Sequence, residues 1–546
     1  MSAIKFCLAQ LNFKIGDFEG NTAKIADTIF NAKQKGADLV IFSEMSVCGY
    51  MPDDLLDYPW FVEKCEQSLE AVAQSCQGIA AIVGGVMRNP KKGRLLQNVV
   101  CFMQNGRIQQ TIAKTLLPTY DVFSESRYFE PAQETEIIEF KGHKIGIAIC
   151  EDIWDIYNDF EYKISPGTIL KELGAEIIIN PSASPFHLGK QSLRNRVFSG
   201  QASRFDLPVI YANQVGIHTE LIFDGASRVI NSNGEIALQL PDFKESIQYI
   251  EFKDQQFQSS NTVPIEPDEI ETLHSALIFG IQDYFKKMGF KKAVLGSSGG
   301  IDSAVVQALL SEAIGADNVL AVLMPSQFSS DGSIQDAKQL SENLGNTFEI
   351  IPIKDIFDQY TSLLASIFEG REFNVAEENI QARSRGVLLM AISNKLGNIL
   401  INTSNKSEMA VGYSTLYGDM CGSLSVLGDV YKGQVYTLAR YINRNEVIIP
   451  QEIIEKAPSA ELRPGQKDSD SLPDYDVLDE ILKLYVEGRK SKDEITMEGY
   501  DSQVVERIVN MVNANEYKRY QAPPIIRVSS KAFGKGRIMP LVAKFQ

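Results

Sequence analysis

A turn rich in glycine and serine, residues 297–303 (SSGGIDS), contains the residue types that bind a phosphate group. It follows a short apolar run and precedes a helical pattern that Gly315 would end. A strand, a glycine turn and a helix start would point several backbone N–H groups at one spot, at the positive end of the helix dipole. The serines add hydroxyl donors, and Asp302 offers a carboxylate to a metal ion. A plain strand-to-helix turn is the alternative, but it requires neither the paired serines nor the Asp-Ser pair.

Three further residues of catalytic type lie at the ends of predicted strands: Glu44 ends 39–44, Lys114 comes just after 107–112, and Cys150 ends 144–150. A cysteine at the end of a strand is where a nucleophile would be presented. An acid, a cation and a thiol can perform acyl transfer without histidine. The carboxylate takes the thiol proton, the thiolate attacks an amide carbonyl, and the ammonium stabilises the oxyanion. Base rates alone favour a buried core cysteine at 150, and spacing alone does not select these three residues.

Composition restricts the class of protein. With 546 residues the chain is too long for one core, so two or more domains are expected. A net charge of −17 disfavours partners such as nucleic acid or an anionic membrane, although a local pocket can still bind a small anion. No apolar run of about 18 residues and no secretory leader is evident. We therefore expect a cytoplasmic enzyme.

Other common site types are not indicated. The seven cysteines include no C-x-x-C pair, so neither a zinc ribbon nor a thioredoxin-like pair is predicted. Only four histidines are present, which limits mechanisms that use a histidine base. Neither a G-x-G-x-x-G fingerprint nor a Walker motif occurs, which argues against a dinucleotide-binding dehydrogenase.

The pattern of apolar runs predicts two α/β domains. The first half alternates strands and helices and has hairpin signals at Asn105-Gly106 and Asn233-Gly234. The second half alternates strand and helix as an open parallel sheet does, with ligands at the carboxyl ends of the strands. A polar stretch with two prolines predicts a linker at 253–268, between domains 1–252 and 269–546. Two polar loops, 325–333 and 458–474, are lids or plain surface connections.

These motifs resemble two known families. Residues 1 to about 250 resemble the carbon–nitrogen hydrolase (nitrilase) superfamily, whose Glu-Lys-Cys triad matches Glu44, Lys114 and Cys150. The second half resembles the ATP pyrophosphatase group, whose S-G-G-x-D-S loop matches 298–303. Together the halves resemble the glutamine-dependent NAD⁺ synthetases. This resemblance implies an N-terminal α-β-β-α nitrilase-like sandwich and a C-terminal Rossmann-like open parallel sheet with helices on both faces.

The resemblance also implies site residues. The implied glutamine-binding residues are Tyr120, Glu151, Trp154, Ser184 and Lys190. The implied ATP-binding residues are Gly296, Ser297, Ser298, Gly299, Gly300, Ile301, Asp302, Ser303 and Thr403. The implied deamido-NAD⁺-binding residues are Asn379, Glu408, Asp419, Lys432 and Lys518. Asp302 and Glu408 would hold Mg²⁺, which takes one or two protein carboxylates besides phosphate oxygens and waters. Without the family, Tyr120 and Trp154 would be interpreted as packing residues.

The implied reaction is the ATP-dependent amidation of deamido-NAD⁺ to NAD⁺ with ammonia from glutamine. It passes through an adenylated intermediate and releases AMP, diphosphate and glutamate. Because free ammonia is mostly protonated at neutral pH, an enclosed path for it is expected. The resemblance further implies a homo-oligomer built on a synthetase dimer, an octamer being one such assembly. Two alternatives stay open: an amidotransferase that activates another carboxylate or carbonyl, and a nucleotide sensor with decayed sites. The intact triad argues against the sensor.

Overall fold

The computed structural model describes residues 3–155, 162–258 and 268–545. The chain divides into two compact units, Met1–Pro267 and Asp268–Gln546. Residues 259–267, which make up most of the predicted linker, lie outside the described residues. In the described part of the chain, no helix is long and apolar enough to cross a membrane.

The described part of the first unit contains fifteen strands and four helices. The strands are β1 (Ile4–Gln10), β2 (Leu39–Ile41), β3 (Ala80–Arg88), β4 (Leu96–Gln104), β5 (Arg107–Ala113), β6 (Ile137–Phe140), β7 (His143–Ile147), β8 (Ile177–Ser182), β9 (Val209–Asn213), β10 (Val215–His218), β11 (Leu221–Asp224), β12 (Arg228–Ile230), β13 (Ile236–Gln239), β14 (Ser246–Lys253) and β15 (Gln256–Phe257). The helices are α1 (Phe18–Gln34), α2 (Pro59–Gln74), α3 (Pro166–Glu172) and α4 (Lys190–Phe205).

Two large sheets form the centre of this unit. One has the order β15-β14-β1-β2-β3-β4-β5 and the other the order β13-β12-β9-β8-β7-β6, while β10 and β11 form a hairpin. Apolar side chains of both sheets, such as Phe6, Ile82, Ile145 and Ile210, share one buried core. α1 and α2 pack on the outer face of the first sheet, and α4 on that of the second. The predicted α-β-β-α sandwich is confirmed.

The predicted hairpin turns of this unit agree with the observed strand pairing, whereas the predicted linker does not agree fully. The predicted hairpins at Asn105-Gly106 and Asn233-Gly234 join β4 to β5 and β12 to β13. The predicted linker, however, begins too early, because β15 pairs with β14 inside it. Phe257 of β15 is buried, and its ring centroid lies 5.9 Å from that of Phe6. One aromatic side chain therefore keeps a mostly polar segment in the sheet.

The described part of the second unit contains five strands and twelve helices. The strands are β16 (Ala293–Gly296), β17 (Val319–Leu323), β18 (Thr347–Ile350), β19 (Ile399–Asn402) and β20 (Leu424–Ser425). The helices are α5 (Glu269–Met288), α6 (Ile301–Ile314), α7 (Asp331–Leu344), α8 (Lys354–Leu364), α9 (Val375–Leu396), α10 (Lys406–Val411), α11 (Lys432–Ile442), α12 (Gln451–Glu455), α13 (Tyr475–Leu482), α14 (Lys492–Met497), α15 (Ser502–Ala514) and α16 (Glu516–Arg519).

The sheet of the second unit is parallel throughout and has the order β18-β17-β16-β19-β20. Successive residues of β16, such as Val294 and Leu295, are both fully buried, so both faces of the sheet are covered. The predicted Rossmann-like sheet is therefore confirmed. The strand order reverses between β16 and β19. Ligands bind such sheets at this switch point, beyond the carboxyl ends of the strands.

Candidate active sites

The structure brings the three predicted triad residues of the first unit together. Glu44 lies in the turn after β2, Lys114 directly follows β5, and Cys150 begins a short 3-10 helix after β7. Lys114 Nζ donates to Glu44 Oε1 over 2.8 Å, and both side chains are fully buried. Cys150 interacts electrostatically with both. A carboxylate, an ammonium and a thiol thus share one buried site.

A second carboxylate, which the sequence analysis missed, belongs to the same cluster. Glu125 is fully buried, and its Oε1 accepts from Lys114 Nζ over 2.8 Å and from the Tyr50 hydroxyl over 2.8 Å. Asn98 Nδ2 donates to Glu44 over 2.6 Å and to Glu125 over 3.4 Å. Glu125 lies in a polar loop without apolar periodicity, and no motif in the sequence marks it. Only the fold shows that this loop turns inward.

The charge balance of the cluster sets the protonation of the nucleophile. Burial, followed by the charge of Glu44, raises the pKa of the Cys150 thiol well above its ordinary value, while Lys114 opposes this change. Burial likewise raises the pKa of Glu125, because the nearby Lys114 only partly compensates for it. Cys150 is therefore a protonated thiol at neutral pH, and an adjacent base must remove its proton before attack.

Asp152 ties the strand ends of the triad to each other. Its Oδ1 accepts from the Leu116 N–H over 2.7 Å and from the Thr115 N–H over 3.1 Å, just after Lys114. Its Oδ2 accepts from the Ile149 N–H over 2.9 Å, just before Cys150. Burial raises the pKa of Asp152 to about 7, which these backbone donors oppose. The carboxylate thus links the two segments that carry the cation and the nucleophile.

The predicted glutamine-binding residues Tyr120 and Glu151 are in direct contact. The Tyr120 hydroxyl donates to both oxygens of Glu151, at 3.1 and 3.0 Å. The Tyr162 hydroxyl, which the sequence analysis did not select, donates to Glu151 Oε1 over 2.6 Å. Burial raises the pKa of Glu151, and both tyrosine hydrogen bonds oppose this by favouring the carboxylate.

The other three predicted glutamine-binding residues lie on nearby elements. Lys190, the first residue of α4, has its Nζ 4.2 Å from the centroid of the Trp154 ring. Burial lowers the pKa of Lys190 to about 8, and the nearby Glu151 opposes this decrease. Ser184 is buried, and its N–H donates to Asn213 Oδ1 over 2.9 Å. The residue before it, Ala183, donates its N–H to Glu44 Oε2 over 3.0 Å.

In the second unit, the predicted phosphate-binding turn lines a pocket of about 310 Å³. The pocket is formed at the switch point of the sheet, and all residues from Gly296 to Ser303 contribute to it. The Ser298 N–H donates to Ser303 Oγ over 3.2 Å, and the Gly300 N–H donates to Ser298 Oγ over 3.2 Å. The serine hydroxyls therefore stiffen the turn. The tight glycine turn before α6 matches the predicted strand–turn–helix arrangement.

Gly299 is required by two features of this turn. Its φ is +74°, a conformation that side chains other than glycine rarely adopt. A Cβ at this position would also lie 2.2 Å from the carbonyl oxygen of Ser333, in the first turns of α7. The glycine therefore allows the turn to approach the backbone of α7, which begins at Asp331 and so includes the last three residues of the predicted loop 325–333.

Two carboxylates from separate segments face one cation beside this turn. Lys432 Nζ contacts Asp302 Oδ2 at 2.5 Å and Glu408 Oε1 at 3.2 Å. Asn405 Nδ2 donates to Asp302 Oδ1 over 2.9 Å. Burial raises the pKa of Glu408, and Lys432 opposes this increase. The three predicted residues Asp302, Glu408 and Lys432 are thus brought together at the pocket wall.

The remaining predicted nucleotide-binding residues divide into two groups. Thr403 and Asp419 line the pocket. Asn379 and Lys518 are not among its lining residues. They instead form hydrogen bonds to residues 412–415, which precede Asp419. Asn379 Oδ1 accepts from Thr415 Oγ1 over 2.8 Å, and Lys518 Nζ donates to the carbonyl oxygens of residues 412 and 414 over 2.6 and 2.8 Å.

The two polar loops predicted at 325–333 and 458–474 both contribute residues to the pocket, among them Ser329 and Glu461. Glu461 of the loop 458–474 accepts from Ser330 Oγ over 2.9 Å and from Ser333 Oγ over 2.7 Å. Arg385 of α9 also lines the pocket. Its Nε donates to the carbonyl oxygen of Met324 over 3.0 Å.

Comparisons with known proteins cover the whole chain. The carbon-nitrogen hydrolase family model matches residues 6–261, and the NAD synthase family model matches residues 273–522. A glutamine-dependent NAD(+) synthetase from Synechocystis sp. is 45% identical over 98% of this chain and 98% of its own length. The chain belongs to the glutamine-dependent NAD⁺ synthetase family. A second family member, from Acinetobacter baylyi, is 40% identical over 99% of both chains.

Solved structures of glutamine-dependent NAD⁺ synthetases agree with this fold. One from Acinetobacter baumannii, in complex with adenosine diphosphate, is 37% identical with a TM-score of 0.80, over 99% of both chains. Another, from Cytophaga hutchinsonii, has a TM-score of 0.82 over 99% of this chain and 98% of its own. Its 24% identity makes it a comparison of fold alone.

Proposed function

We propose that the chain converts deamido-NAD⁺ to NAD⁺, using ATP and ammonia released from glutamine. The observation that carries this proposal is the presence of both candidate active sites in a chain 45% identical, over 98% of its length, to a glutamine-dependent NAD(+) synthetase. The products besides NAD⁺ are AMP, diphosphate and glutamate. The expected compartment is the cytoplasm.

Cys150, Glu44 and Lys114 carry out the hydrolysis of glutamine. Glu44 takes the proton of the thiol, and the Cys150 sulfur attacks the amide carbon. The Lys114 ammonium, which is fully buried, stabilises the oxyanion that forms. Collapse breaks the C–N bond, the proton held by Glu44 goes to the leaving ammonia, and a thioester remains. Water activated by Glu44 then hydrolyses the thioester to glutamate.

The charges beside Cys150 suit an α-amino acid. Glu151 would bind the α-ammonium group of glutamine, and Lys190 would bind its α-carboxylate. Tyr120, Trp154 and Ser184 would complete the pocket. Support comes from the pair of opposite charges next to the nucleophile, since Glu151 and Lys190 influence each other's protonation.

The turn 297–303 would hold the phosphates of ATP through its backbone N–H groups and serine hydroxyls. The nicotinate carboxylate of deamido-NAD⁺ attacks the α-phosphorus, and diphosphate leaves with the electron pair of the broken P–O bond. Ammonia then attacks the activated acyl carbon, and AMP leaves as the amide forms. Gly296, Ile301 and Thr403 would line the ATP side of the pocket.

The deamido-NAD⁺ side would use Asp419, Glu408 and Lys432, which line the same pocket. Asn379 and Lys518 stay in this proposed site because they hold the loop that leads to Asp419. Burial raises the pKa of Asp419 to about 6, and the nearby Lys518 opposes this increase. Lys518 would thus help to keep Asp419 ionised.

A magnesium ion fits between Asp302 and Glu408. These two carboxylates come from separate segments and already contact a single cation, the Lys432 ammonium. No cluster of three acidic, cysteine or histidine side chains occurs among the described residues, so phosphate oxygens and waters would have to complete the shell. When bound, Mg²⁺ would neutralise negative charge on the phosphates. Asp302 and Glu408 would hold it.

A homo-oligomer is also proposed, on the evidence of exposed apolar side chains in one region of the second unit. Several large apolar side chains of α8, α9 and the connection between them are at least one third exposed: Tyr360, Leu363, Ile367, Phe373, Val387, Met390 and Leu396. Soluble monomers rarely expose a large apolar patch. A second copy of the synthetase unit would cover some of these side chains, giving a dimer that could build larger assemblies up to an octamer.

The reaction can be tested by mass detection of AMP and NAD⁺ after incubation with ATP, deamido-NAD⁺, glutamine and Mg²⁺. Formation of both products supports the proposal. Release of diphosphate with another carboxylate but not with deamido-NAD⁺ would indicate a different amidotransferase. Tight binding of ATP without any turnover would indicate a nucleotide sensor.

A further inference from the structure

A pair of tyrosine hydroxyls surrounds the carboxylate that follows the nucleophile. Glu151 is only 3% exposed and is the next residue after Cys150. The Tyr162 hydroxyl donates to Oε1 over 2.6 Å, and the Tyr120 hydroxyl lies 3.1 Å from Oε1 and 3.0 Å from Oε2. Tyr162 makes the shorter contact, and its hydrogen bond holds Oε1 of the carboxylate in place.

These contacts leave acceptor capacity on Glu151. An ionised carboxylate offers about four lone-pair positions, and the two tyrosines use fewer than that. The remaining positions can accept N–H groups from a ligand. A buried carboxylate with free acceptor positions, beside a nucleophilic thiol, is suited to a ligand that carries an ammonium group.

A group of opposite charge lies close enough to Glu151 to interact with it. The Lys190 ammonium lies over the Trp154 ring, at 4.2 Å from its centroid, and interacts electrostatically with Glu151 and Cys150. A ligand with both an ammonium and a carboxylate on one carbon can satisfy both charges. An α-amino acid with an amide in its side chain has this arrangement, whereas a simple amide does not.

We propose that Tyr162 is a positioning residue for substrate specificity, which holds the Glu151 carboxylate in the orientation that recognises the α-ammonium group of glutamine. This inference rests on the proposed glutaminase function of the first unit. Tyr162 acts through Glu151 and touches no reacting atom. The alternative is a hydrogen bond that only anchors the chain, in which case its loss would not distinguish one ligand from another.

Two analogues of glutamine separate these possibilities. 4-Carbamoylbutanoate lacks the α-amino group, and 4-aminobutanamide lacks the α-carboxylate. Their inhibition constants would be measured against glutamine hydrolysis by the full chain, in wild type and in Tyr162→Phe. Tyr128→Phe is the matched control, because the Tyr128 hydroxyl also donates to a carboxylate, Asp54 Oδ1, over 2.6 Å in the same unit.

Tyr162→Phe should raise the KM for glutamine and the inhibition constant of 4-aminobutanamide by about tenfold each, the usual effect of one hydrogen bond to a charged group. The inhibition constant of 4-carbamoylbutanoate and the kcat for glutamine should stay within about threefold of wild type. Lys190→Met should have the opposite effect: it should raise the inhibition constant of 4-carbamoylbutanoate and leave that of 4-aminobutanamide nearly unchanged. Tyr128→Phe should change none of these constants.

Equal weakening of both analogues in Tyr162→Phe, or a fall in kcat with KM unchanged, would overturn the inference. Glu151→Gln is an independent test, because it should also weaken the binding of 4-aminobutanamide selectively. If it does not, the inference is overturned as well. A wild-type chain that hydrolyses no glutamine would instead contradict the proposed function itself. The two failures are therefore distinguishable.

Discussion

At the scale of single residues, the proposed glutaminase site would perform its acid–base chemistry with a carboxylate, an ammonium and a thiol. The fully buried Lys114 ammonium lies 2.8 Å from each of two carboxylates, Glu44 and Glu125. One cation is thus shared by two anions, and the thiol of Cys150 stays protonated in their field. We propose that Glu44 acts as the base, and that Glu125 positions Lys114.

Glu125→Gln tests the role of the second carboxylate. The amide keeps the shape of the side chain but removes one of the two charges that hold Lys114, so the oxyanion should be stabilised less well. We expect the kcat for glutamine hydrolysis to fall about 10- to 100-fold, short of the loss from removing an oxyanion donor itself. Ammonia-driven synthesis serves as the control and should not change. An unchanged glutaminase kcat would contradict this role.

Lys190 should make glutamine binding dependent on pH. Burial lowers its pKa to about 8, so the side chain is protonated below this pH and loses its charge as the pH rises through it. If the ammonium binds the α-carboxylate, the KM for glutamine should rise about tenfold per pH unit above pH 8. In Lys190→Arg, the guanidinium stays charged, and the part of this rise that the loss of the Lys190 charge causes should disappear. A KM that rises equally in both proteins would contradict the assignment.

At the scale of elements, the sequence predicted the parts of the sites that are local. The turn 297–303 and Cys150 both lie at the ends of apolar strands. Such an end can be recognised in the sequence because apolar residues give way to polar ones. Glu125 could not be predicted, because its burial depends on the packing of a polar loop against distant residues such as Tyr50. The strand around Phe257 was missed for a similar reason. Its pairing with β14 outweighs its polar composition.

Gly299→Ala tests the geometry of the phosphate-binding turn. The added Cβ would meet the Ser333 carbonyl oxygen at 2.2 Å and would occupy an unfavourable φ of +74°, so the turn must move. We expect the KM for ATP to rise at least about tenfold, with either glutamine or ammonia as nitrogen source. Gly345→Ala is a matched control, because φ there is +72° but no atom lies near the added Cβ. Equal effects of both substitutions would contradict a specific role of the turn.

At the scale of the whole molecule, the chain has two compact units, each with its own candidate active site. The exposed apolar side chains of α8 and α9 support assembly through the second unit. Leu363→Lys combined with Val387→Lys should lower the molar mass measured by light scattering, because charged side chains cannot be buried there without cost. Met497→Lys alters a residue that is 78% exposed elsewhere in the unit and should leave the mass unchanged. A mass that is the same in all three proteins would contradict the proposed interface.

The central claim is the division of labour between the two sites. It is tested most directly by measuring NAD⁺ formation in Cys150→Ala with glutamine and, separately, with ammonium chloride. We expect glutamine-driven synthesis to be lost and ammonia-driven synthesis to stay within about threefold of wild type, because Cys150 takes no part in adenylation. Asp302→Ala should abolish synthesis from both nitrogen sources. Loss of ammonia-driven synthesis in Cys150→Ala would contradict the account.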